Sequence, residues 1–560
     1  MIIGQGVSKG YGIGKIYRYE NNVVIPDFQI ENIEDELSRL NVSVEHSVET
    51  LKDLYESTLE TLGEDKAQLF KAHELMLKDP EFLGAVKEKV KSKMNAEQAV
   101  LKASNIFSEM FLQMDNEYFR ERAADIKDIS NRLIFDLMGV KKESLSEIAE
   151  GTVLLSHDLS PSDTSQLKKE NIVGIITEIG GETSHSAIIA RTLGIPAIMG
   201  IGNQTDLIKN DMSVVIDGDK GQVILEPSME TIDTYLNKIR VRDEYLKDLE
   251  LYKNKNYYYT DGRKIEVAGN IALPEESENV LNKGGQGVGL FRSEFIYMNR
   301  QEPPTEEEQY LAYKQALEGM NGHPVTIRTM DIGGDKEVDY LHIDKELNPF
   351  LGYRAIRYCF DHRDFFKVQL RALYRASIHG QLRIMFPMVS KVEEIITIKE
   401  IIQEVKDDLY NDKVEFDSVE IGIMIEVPSA AIMSDVLAKY VDFASIGTND
   451  LTQYTLASDR MNQNVKSIYS NYDPSVIRLI HMTIENFHKA GKWVGMCGSA
   501  AGNKELIPVW YAMGLDEFSM VPNSILEAKA TLDKISDSKI SLEGILEMGT
   551  EDEVRKYLSS

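Results

Sequence analysis

Residues 172–193 have the sequence IVGIITEIGGETSHSAIIARTL. An apolar β-branched run, Ile172 to Thr177, precedes two glycines and an apolar stretch with helical spacing, which predicts a strand, a tight turn and a helix. The turn places His185 at the start of the helix, where free backbone N–H groups and the helix dipole favour an anion. Because a neutral imidazole can attack phosphorus, we predict that His185 is a nucleophile that carries a phosphoryl group. The alternative is a histidine that only caps the helix.

Composition and charge exclude several classes of protein. The 560 residues, 42% hydrophobic and 27% charged, suffice for several globular domains. No apolar run approaches the roughly 18 residues of a membrane span, and the first residues lack the pattern of a secretory signal. The two cysteines, Cys359 and Cys497, fit a reducing cytoplasm. The net charge of −29 argues against a nucleic-acid partner and permits a basic protein partner, although solubility is the simpler explanation. We therefore expect a cytoplasmic protein without membrane insertion.

The first half of the chain predicts an α/β unit that is interrupted by a helical insertion. Residues 1–29 hold a short β segment, and 146–226 alternate β-branched runs with glycine turns. We expect these two segments to share a sheet, because a lone terminal strand is not stable. Between them, 30–145 carry apolar residues at three- and four-residue steps, which is typical of amphipathic helices. Pro227 opens a further helix, so we assign 227–260 to a linker helix.

The second half, 261–560, alternates strands with helical segments. Eight strands in about 300 residues predict a (β/α)8 TIM barrel, with an open doubly wound sheet as the alternative. Neither a GxGxxG fingerprint nor a P-loop sequence supports a nucleotide-binding open sheet. The predicted strands are Lys264–Ala272, Gly287–Phe295, Val325–Ile332, Leu382–Met388, Ile421–Val427, Phe443–Gly447, Trp493–Cys497 and Glu517–Val521.

Polar residues lie at the predicted carboxyl ends of these strands, where barrel enzymes place their active sites. Any one of them could form an ordinary salt bridge, but their occurrence at consecutive strand ends favours a binding site. The arginines suit a small anion, and Glu426 and Asp450 offer hard oxygens to Mg²⁺. Cys497 is either a small buried apolar residue or a proton donor to a reacting carbon. The strand-end residues are Arg292, Arg328, Glu426, Asn449, Asp450 and Cys497, and Arg354 and Arg460 follow in nearby loops.

The motifs of both halves together resemble those of Enzyme I of the bacterial sugar phosphotransferase system, the phosphoenolpyruvate–protein phosphotransferase family. The resemblance covers essentially the whole chain. The histidine motif alone is shared with pyruvate phosphate dikinase and phosphoenolpyruvate synthase, whereas its combination with this length and domain order is specific. The matching motifs are GGETSH at 180–185, GLFRSEF at 289–295, RTMDIGGDK at 328–336, NPFLGYR at 348–354 and SIGTNDLTQY at 445–454.

The resemblance implies a two-step phosphoryl transfer that begins sugar uptake. His185 would take the phosphoryl group of phosphoenolpyruvate, and Cys497 would protonate the enolate to give pyruvate. The phosphohistidine would then pass its group to a histidine of the phosphocarrier protein HPr, docked on the helical insertion. Mg²⁺ would be bound by Glu426 and Asp450, and the barrel would form a homodimer. The implied substrate ligands are Arg292, Arg328, Arg354, Arg460, Asn449 and Asp450.

Three positions depart from the family pattern. Glu182 stands where the family usually has arginine, Ser499 where it has glutamate, and Val521-Pro522 where it has serine and alanine. These departures are the only support for an alternative, a regulatory protein whose phosphohistidine reports a metabolite level. A dikinase or synthase would need an ATP-binding domain, for which no segment remains. Because one histidine must reach both the barrel and HPr, we also expect a hinge in the linker helix.

Overall fold

The structure is a computed structural model. It describes residues 1–19, 25–62, 64–112, 117–140, 145, 148–164, 167–181, 184–298, 300–334, 336, 338–462, 464–535 and 540–559. Within these ranges, the side chains of residues 57, 60–62, 64–66, 112, 117–123, 161, 185 and 192 lie outside the description. The chain divides into two compact units, Met1–Tyr245 and Leu246–Ser560.

The first unit contains an eight-stranded mixed sheet. Its strands are β1 (Ile2–Ile3), β2 (Gln5–Ser8), β3 (Tyr11–Tyr19), β4 (Thr152–Ser156), β5 (Ile172–Thr177), β6 (Ala197–Met199), β7 (Ser213–Asp217) and β8 (Gln222–Leu225). Their order across the sheet is β1-β8-β7-β3-β4-β5-β6-β2. Strand β3 runs parallel to β4, with Lys15 opposite Thr152. The N-terminal segment therefore joins the later α/β segment in one sheet.

Five helices follow β3 in the chain and form a bundle. They are α1 (Ile33–Leu62), α2 (Glu64–Leu77), α3 (Pro80–Lys91), α4 (Ala96–Leu112) and α5 (Glu117–Leu137). Their apolar faces share one core, in which Leu40, Phe70 and Leu133 are completely buried. The apolar periodicity of this segment thus reflects helices that bury one face against one another.

Three further helices belong to the segment after the bundle. They are α6 (Pro161–Thr164), α7 (His185–Leu193) and α8 (Met229–Glu250). Helix α8 begins two residues after Pro227, and the boundary between the two units falls within it. No helix in the described parts of the chain is both long enough and apolar enough to cross a membrane.

The second unit is a closed barrel of eight parallel strands, which confirms the predicted fold and excludes the open sheet. The strands are β10 (Lys264–Ile271), β11 (Val288–Arg292), β12 (Val325–Arg328), β13 (Leu382–Phe386), β14 (Glu420–Ile425), β15 (Phe443–Ile446), β16 (Trp493–Met496) and β17 (Glu517–Met520). Each pairs with the next, and β10 pairs with both β11 and β17, which closes the barrel. A short strand, β9 (Tyr257–Tyr258), pairs antiparallel with β10.

Helices alternate with these strands and pack on them in one continuous apolar core. They are α9 (Glu276–Asn282), α10 (Glu294–Tyr297), α11 (Glu306–Gly319), α12 (Ile356–Asp361), α13 (Arg363–Ala376), α14 (Val392–Asn411), α15 (Pro428–Ile432), α16 (Ser434–Leu437), α17 (Thr448–Leu456), α18 (Pro474–Lys489), α19 (Ile507–Met513), α20 (Ile525–Lys534), α21 (Leu542–Glu547) and α22 (Glu551–Leu558).

Two strands are clearly shorter than the sequence predicts. Strand β11 ends at Arg292 instead of Phe295, because Ser293 has helical backbone angles and opens α10. Strand β12 ends at Arg328, although the buried apolar pattern continues to Ile332. Both early endings lie at the carboxyl end of the barrel, which we call the mouth.

A small apolar cluster, separate from the main core of the barrel unit, consists of Leu290, Met385, Met424, Phe443 and Cys497. Toward the amino ends of the strands lie three charged residues that we call the base cluster, namely Glu266, Arg383 and Glu517. The candidate site lies at the opposite end, where barrel enzymes bind substrates.

Candidate functional site

The histidine loop of the first unit leads from β5 into α7. Gly180 has a φ angle of 101°, in the left-handed region that favours glycine. Ser184 caps α7, because its Oγ accepts a hydrogen bond from the Ala187 N–H and donates one to the Gly181 carbonyl. His185 is the first residue of α7, the position that the sequence predicts, while its side chain lies outside the described part of the structure.

The other predicted site residues all belong to the barrel unit and stand at its mouth. Arg292 and Arg328 end β11 and β12, and Glu426 follows β14 directly. Asn449 and Asp450 lie in the first turn of α17. The remaining three are Cys497 just after β16, Arg354 just before α12 and Arg460 in the segment after α17.

Two buried carboxylates hold the cationic side chains of the mouth in place. Arg328 Nη2 lies 2.6 Å from Glu294 Oε1, and its Nη1 lies 3.0 Å from Asp331 Oδ2. Arg354 Nη2 contacts both Asp331 oxygens, at 2.8 and 3.0 Å. Lys336 Nζ lies 2.7 Å from Glu294 Oε1 and 3.4 Å from Asp331 Oδ2. Burial raises the pKa of each carboxyl group, but attraction from these cations outweighs it, and both pKa values lie below their usual range. The carboxylates thus stay ionised and anchor the cations.

Two arginines of the mouth keep an N–H group without a partner. The Nε atoms of Arg292 and Arg328 are buried and form no hydrogen bond with any residue that the structure describes. Leaving a buried donor unpaired is costly. Burial lowers the pKa of Arg292, and the charge of Arg328 adds to this effect. An anionic ligand would accept hydrogen bonds from the unpaired N–H groups and would reduce the repulsion between the two guanidinium groups.

Glu426 and Asp450 are buried carboxyl groups that repel each other. Burial, followed by the charges of Asp450 and Asp331, raises the pKa of Glu426 to about 8, against the opposing effect of nearby arginines. Glu426 Oε1 accepts a hydrogen bond from the Met388 N–H at 2.6 Å, whereas Asp450 Oδ1 has no hydrogen-bond partner among the described residues. A divalent cation fits this pair because it would relieve the repulsion.

The number of carboxylates is informative about the kind of cation site. In the described ranges, no group of three or more His, Cys, Asp or Glu side chains is arranged to hold a metal ion. Mg²⁺ commonly uses one or two carboxylates and completes its shell with water and substrate phosphate. Two carboxylates such as Glu426 and Asp450 are thus compatible with a Mg²⁺ site of that kind.

Asn449 is held by one of the residues that depart from the family pattern. The Ser499 Oγ and its backbone N–H both donate to Asn449 Oδ1, at 2.7 and 3.2 Å. The amide oxygen is therefore occupied, and the amide nitrogen is left to act as a donor. Beside it, Asp450 lies 3.6 Å from Arg354 Nη2 and 3.8 Å from Arg460 Nη1. Ser499 thus orients the Asn449 amide without adding charge at the mouth.

Cys497 packs in the small apolar cluster of the barrel and carries a proton. Burial raises the pKa of its thiol to about 12, although the neighbouring Ser445 side chain and the charge of Arg328 act in the opposite direction. Its backbone is fixed, because its N–H donates to the Ile446 carbonyl at 3.1 Å and its carbonyl accepts from Asn270 Nδ2 at 2.8 Å. The thiol is therefore neutral and keeps its proton at neutral pH.

Sequence reasoning identified the groups that face the mouth but gave no role to the groups that hold them. Glu294, Asp331 and Lys336 stand within the quoted motifs. The sequence did indicate these roles. A buried arginine needs a counter-ion, and Glu294 and Asp331 follow Arg292 and Arg328 by two and three positions. The roles of the strand-end residues themselves stay predictions.

Proteins of known family match the whole chain. The PEP-binding domain of PEP-utilising enzymes matches residues 247–537, their mobile domain 148–221 and their N-terminal domain 3–122. The phosphoenolpyruvate-protein phosphotransferase of Bacillus subtilis is 47% identical over 99% of this chain and 98% of its own length. That of Priestia megaterium is 45% identical over 100% of this chain and 98% of its own. The solution structure of Enzyme I (nEIt) has 36% identity over 43% of this chain and 100% of its own, with a TM-score of 0.40. The full-length relatives confirm the resemblance found in the sequence: the chain belongs to the PEP-utilising enzymes, in the phosphoenolpyruvate-protein phosphotransferase family.

Proposed function

We propose that this chain transfers the phosphoryl group of phosphoenolpyruvate to its own His185, releases pyruvate, and passes the group on to a histidine of HPr. The mouth of the barrel carries this proposal, because buried arginine donors without acceptors stand beside two carboxylates that repel each other. Such a site suits a small polyanion with a divalent cation. The histidine loop adds a nucleophile at a helix N-terminus, where an anion is favoured.

Hydrogen-bond donors at the mouth would bind the substrate. Arg292 and Arg328 would hold the phosphate and carboxylate of phosphoenolpyruvate through their unpaired Nε groups, and the Asn449 amide nitrogen would add a neutral donor. Arg354 and Arg460 lie beside Asp450 and contribute positive charge at the edge of the mouth. Because the carboxylates of the buried network hold the guanidinium groups in advance, the substrate meets donors that are already oriented.

The chemical step breaks one bond to phosphorus and forms another. The imidazole of His185 attacks phosphorus in line, so that a P–N bond forms while the P–O bond to the enol oxygen breaks. The departing enolate takes a proton on its terminal carbon from the Cys497 thiol, which gives pyruvate. The thiolate then regains a proton from solvent. Mg²⁺ held by Glu426 and Asp450 would offset charge on the phosphoryl group.

We assign the steps to segments of the chain as follows. Residues 1–29 and 146–226 carry the histidine, 30–145 dock HPr, 227–260 form a hinged linker helix, and 261–560 bind phosphoenolpyruvate and form a homodimer. The division of the chain within α8 supports the linker assignment. We place the protein in the cytoplasm, on the basis of its two free cysteines.

The proposal is tested by incubating the protein with phosphoenolpyruvate and Mg²⁺ and locating acid-labile phosphate by mass spectrometry. We expect one phosphate on His185, and its loss when HPr is added. The matched control is His185→Ala, which should take up no phosphoryl group while keeping its thermal unfolding temperature. Stable phosphate on another residue of that variant would contradict the assignment.

A second experiment separates chemistry on carbon from chemistry on phosphorus. Cys497→Ala should slow pyruvate release from phosphoenolpyruvate and spare transfer from phosphorylated His185 to HPr, because the second step involves no enolate. Equal loss in both steps would show that Cys497 is structural.

A further inference from the structure

A cluster of buried polar side chains lies behind the ends of β11 and β12. Its central member is Gln369 on α13, which is 1% exposed. Gln369 Oε1 accepts a hydrogen bond from the Met330 N–H at 3.0 Å. Gln369 Nε2 donates to Ser293 Oγ and to Tyr313 Oη, both at 3.0 Å. A single side chain from an outer helix therefore contacts the chain just beyond both strands.

The contacts of Gln369 close a circuit around the end of β12. Ser293 Oγ donates to the Arg328 carbonyl at 2.6 Å, and Gln369 links that hydroxyl to the N–H of Met330, two residues further on. Strand pairing ends at Arg328, so Gln369 supplies the acceptor that the sheet no longer provides. Ser293 in turn stands directly between Arg292 and Glu294. The same amide thus constrains the backbone that carries both substrate-facing arginines.

Hydrogen-bond chemistry allows only one orientation of this amide. A backbone N–H can only donate, so the Gln369 oxygen must face Met330 and the nitrogen must face the two hydroxyl groups. Burial raises the pKa of Tyr313, so its phenol keeps its proton and donates to Gln309 Oε1 at 3.2 Å. Every group of this circuit has a defined donor or acceptor role, which favours a single, rigid arrangement.

We propose that Gln369 is a positioning residue that sets the placement of Arg292 relative to Arg328. It ties the end of β11 to the end of β12 from behind, and it acts on substrate only through these arginines. This inference rests on the proposed function, in which both arginines grip phosphoenolpyruvate. Displacing binding groups by about 1 Å can cost up to roughly 10²-fold in rate, so loss of this tie should be measurable.

The test compares two half-reactions in Gln369→Met, which keeps the side-chain volume and removes both polar ends. We expect KM for phosphoenolpyruvate to rise about tenfold or more, because the arginines lose their fixed spacing. Transfer from phosphorylated HPr to His185 should keep its rate, since that step does not use the mouth. A residue needed only for folding would lower the amount of active protein and leave KM unchanged.

Tyr313→Phe is the matched control. It removes one hydrogen bond of Gln369 but leaves both of its bonds to the strand ends, so we expect a smaller fall in thermal unfolding temperature and an unchanged KM. If Gln369→Met does not fold, Ser293→Ala removes the hydroxyl between Arg328 and Gln369 and should raise KM in the same direction. An unchanged KM in the folded variant, or an equal rise in Tyr313→Phe, overturns the inference. Failure of the unaltered chain to accept phosphate from phosphoenolpyruvate would overturn the proposed function instead.

Discussion

Glu426 at the mouth of the barrel and Glu517 in the base cluster are both buried carboxyl groups whose pKa is raised to about 8. Burial is the largest cause at both ends, and a neighbouring carboxylate is the second. At the mouth that neighbour is Asp450, and at the base it is Glu266. By the criterion of a perturbed pKa alone, the two ends would be equal candidates for an active site.

The surroundings of the two glutamates differ. At the base, Arg383 Nη1 lies 3.2 Å from Glu517 Oε2 and 3.4 Å from Glu266 Oε1. Arg383 Nε also lies 3.1 Å from Glu420 Oε2, whereas Glu517 Oε1 is buried and has no hydrogen-bond partner among the described residues. The Arg383 guanidinium lies over the Trp493 ring, and this ring stacks on Phe443 at 4.5 Å. The base therefore contains its own cation and leaves only an acid oxygen unpaired, whereas the mouth keeps buried cationic donors that lack acceptors.

The comparison shows that a raised pKa does not by itself identify a functional site. What distinguishes the mouth is the unsatisfied Nε of Arg292 and Arg328, which calls for a ligand. In the base cluster, Arg383 contacts both carboxyl groups, and the unpaired atom is Glu517 Oε1, an acid oxygen that does not call for an anion. If the mouth binds substrate and the base cluster is structural, substitutions at the two ends should have different effects on activity and stability.

The largest expected difference is in activity. Glu426→Gln should lower phosphorylation of His185 by phosphoenolpyruvate on the order of 10³-fold, because charge neutralisation of the phosphoryl group is lost. Glu517→Gln should leave the rate near that of the unaltered chain. Since glutamine resembles the protonated acid, both variants should fold, which a thermal unfolding curve checks. Full activity of Glu426→Gln at ordinary Mg²⁺ would remove the distinction between the two ends.

The second prediction concerns stability and applies to the base alone. Arg383→Met leaves buried carboxyl groups without their cation, which should lower the free energy of unfolding by about 3–5 kcal/mol. Adding Glu266→Gln to this variant removes the unpaired charge and should restore much of the loss. Both tryptophans, Trp493 and Trp510, lie in the barrel, so their fluorescence during urea unfolding reports on this unit. If the double variant is no more stable than Arg383→Met, the base is not held by charge balance.

The third prediction is the pH dependence of barrel stability. The pKa of Glu517 is raised from an ordinary value near 4.5 to about 8, so in this interval the folded state holds a proton that the unfolded state has released. The stabilising contribution is therefore fully present below the unfolded pKa and is lost as pH rises toward 8. The free energy of unfolding should fall by up to about 1.4 kcal/mol per pH unit on this account.

Unfolding measurements at pH 6, 7 and 8 without divalent cations check this slope. Glu517→Gln and Glu426→Gln should each remove one part of the slope, because glutamine does not titrate. Added Mg²⁺ should reduce the part that Glu426 contributes and leave the part of Glu517 unchanged. An identical response of both positions to Mg²⁺ would contradict the difference between the ends.

The barrel itself was predictable because each strand is a short apolar run bounded by turn residues. The predicted strand Phe443–Gly447 ends only one residue beyond β15. The prediction extended β12 too far, since Met330 and Ile332 are as buried as strand residues while their backbone no longer pairs. An apolar pattern reports burial and not backbone pairing, and the Met330 N–H donates to Gln369, 39 positions away, instead of to a neighbouring strand.

The candidate site was predictable to the extent that local sequence places a residue at a strand end. Arg328 and Asp450 could be located in this way. The base cluster could not, because Glu266, Arg383 and Glu517 are distant in sequence and nothing local shows that they face the barrel interior. The pairing of Asn449 with Ser499 could not be foreseen either, since it depends on how the segments after β15 and β16 approach each other.

We expect the smallest change in activity from substitution of Ser499, which lies at the mouth. Its hydroxyl and its backbone N–H both donate to Asn449 Oδ1, so Ser499→Ala removes one of two donors and leaves the other in place. A hydrogen bond of this kind contributes about 1 kcal/mol, which corresponds to a rise in KM for phosphoenolpyruvate of roughly fivefold or less. Ser499→Glu sharpens the test, because it introduces the family's usual residue and a negative charge beside Asp450. If alanine has no effect and glutamate does, charge at this position matters more than the orientation of Asn449. A loss in Ser499→Ala as large as that in Glu426→Gln would show instead that the Asn449 amide is as important to the mouth as its carboxylates.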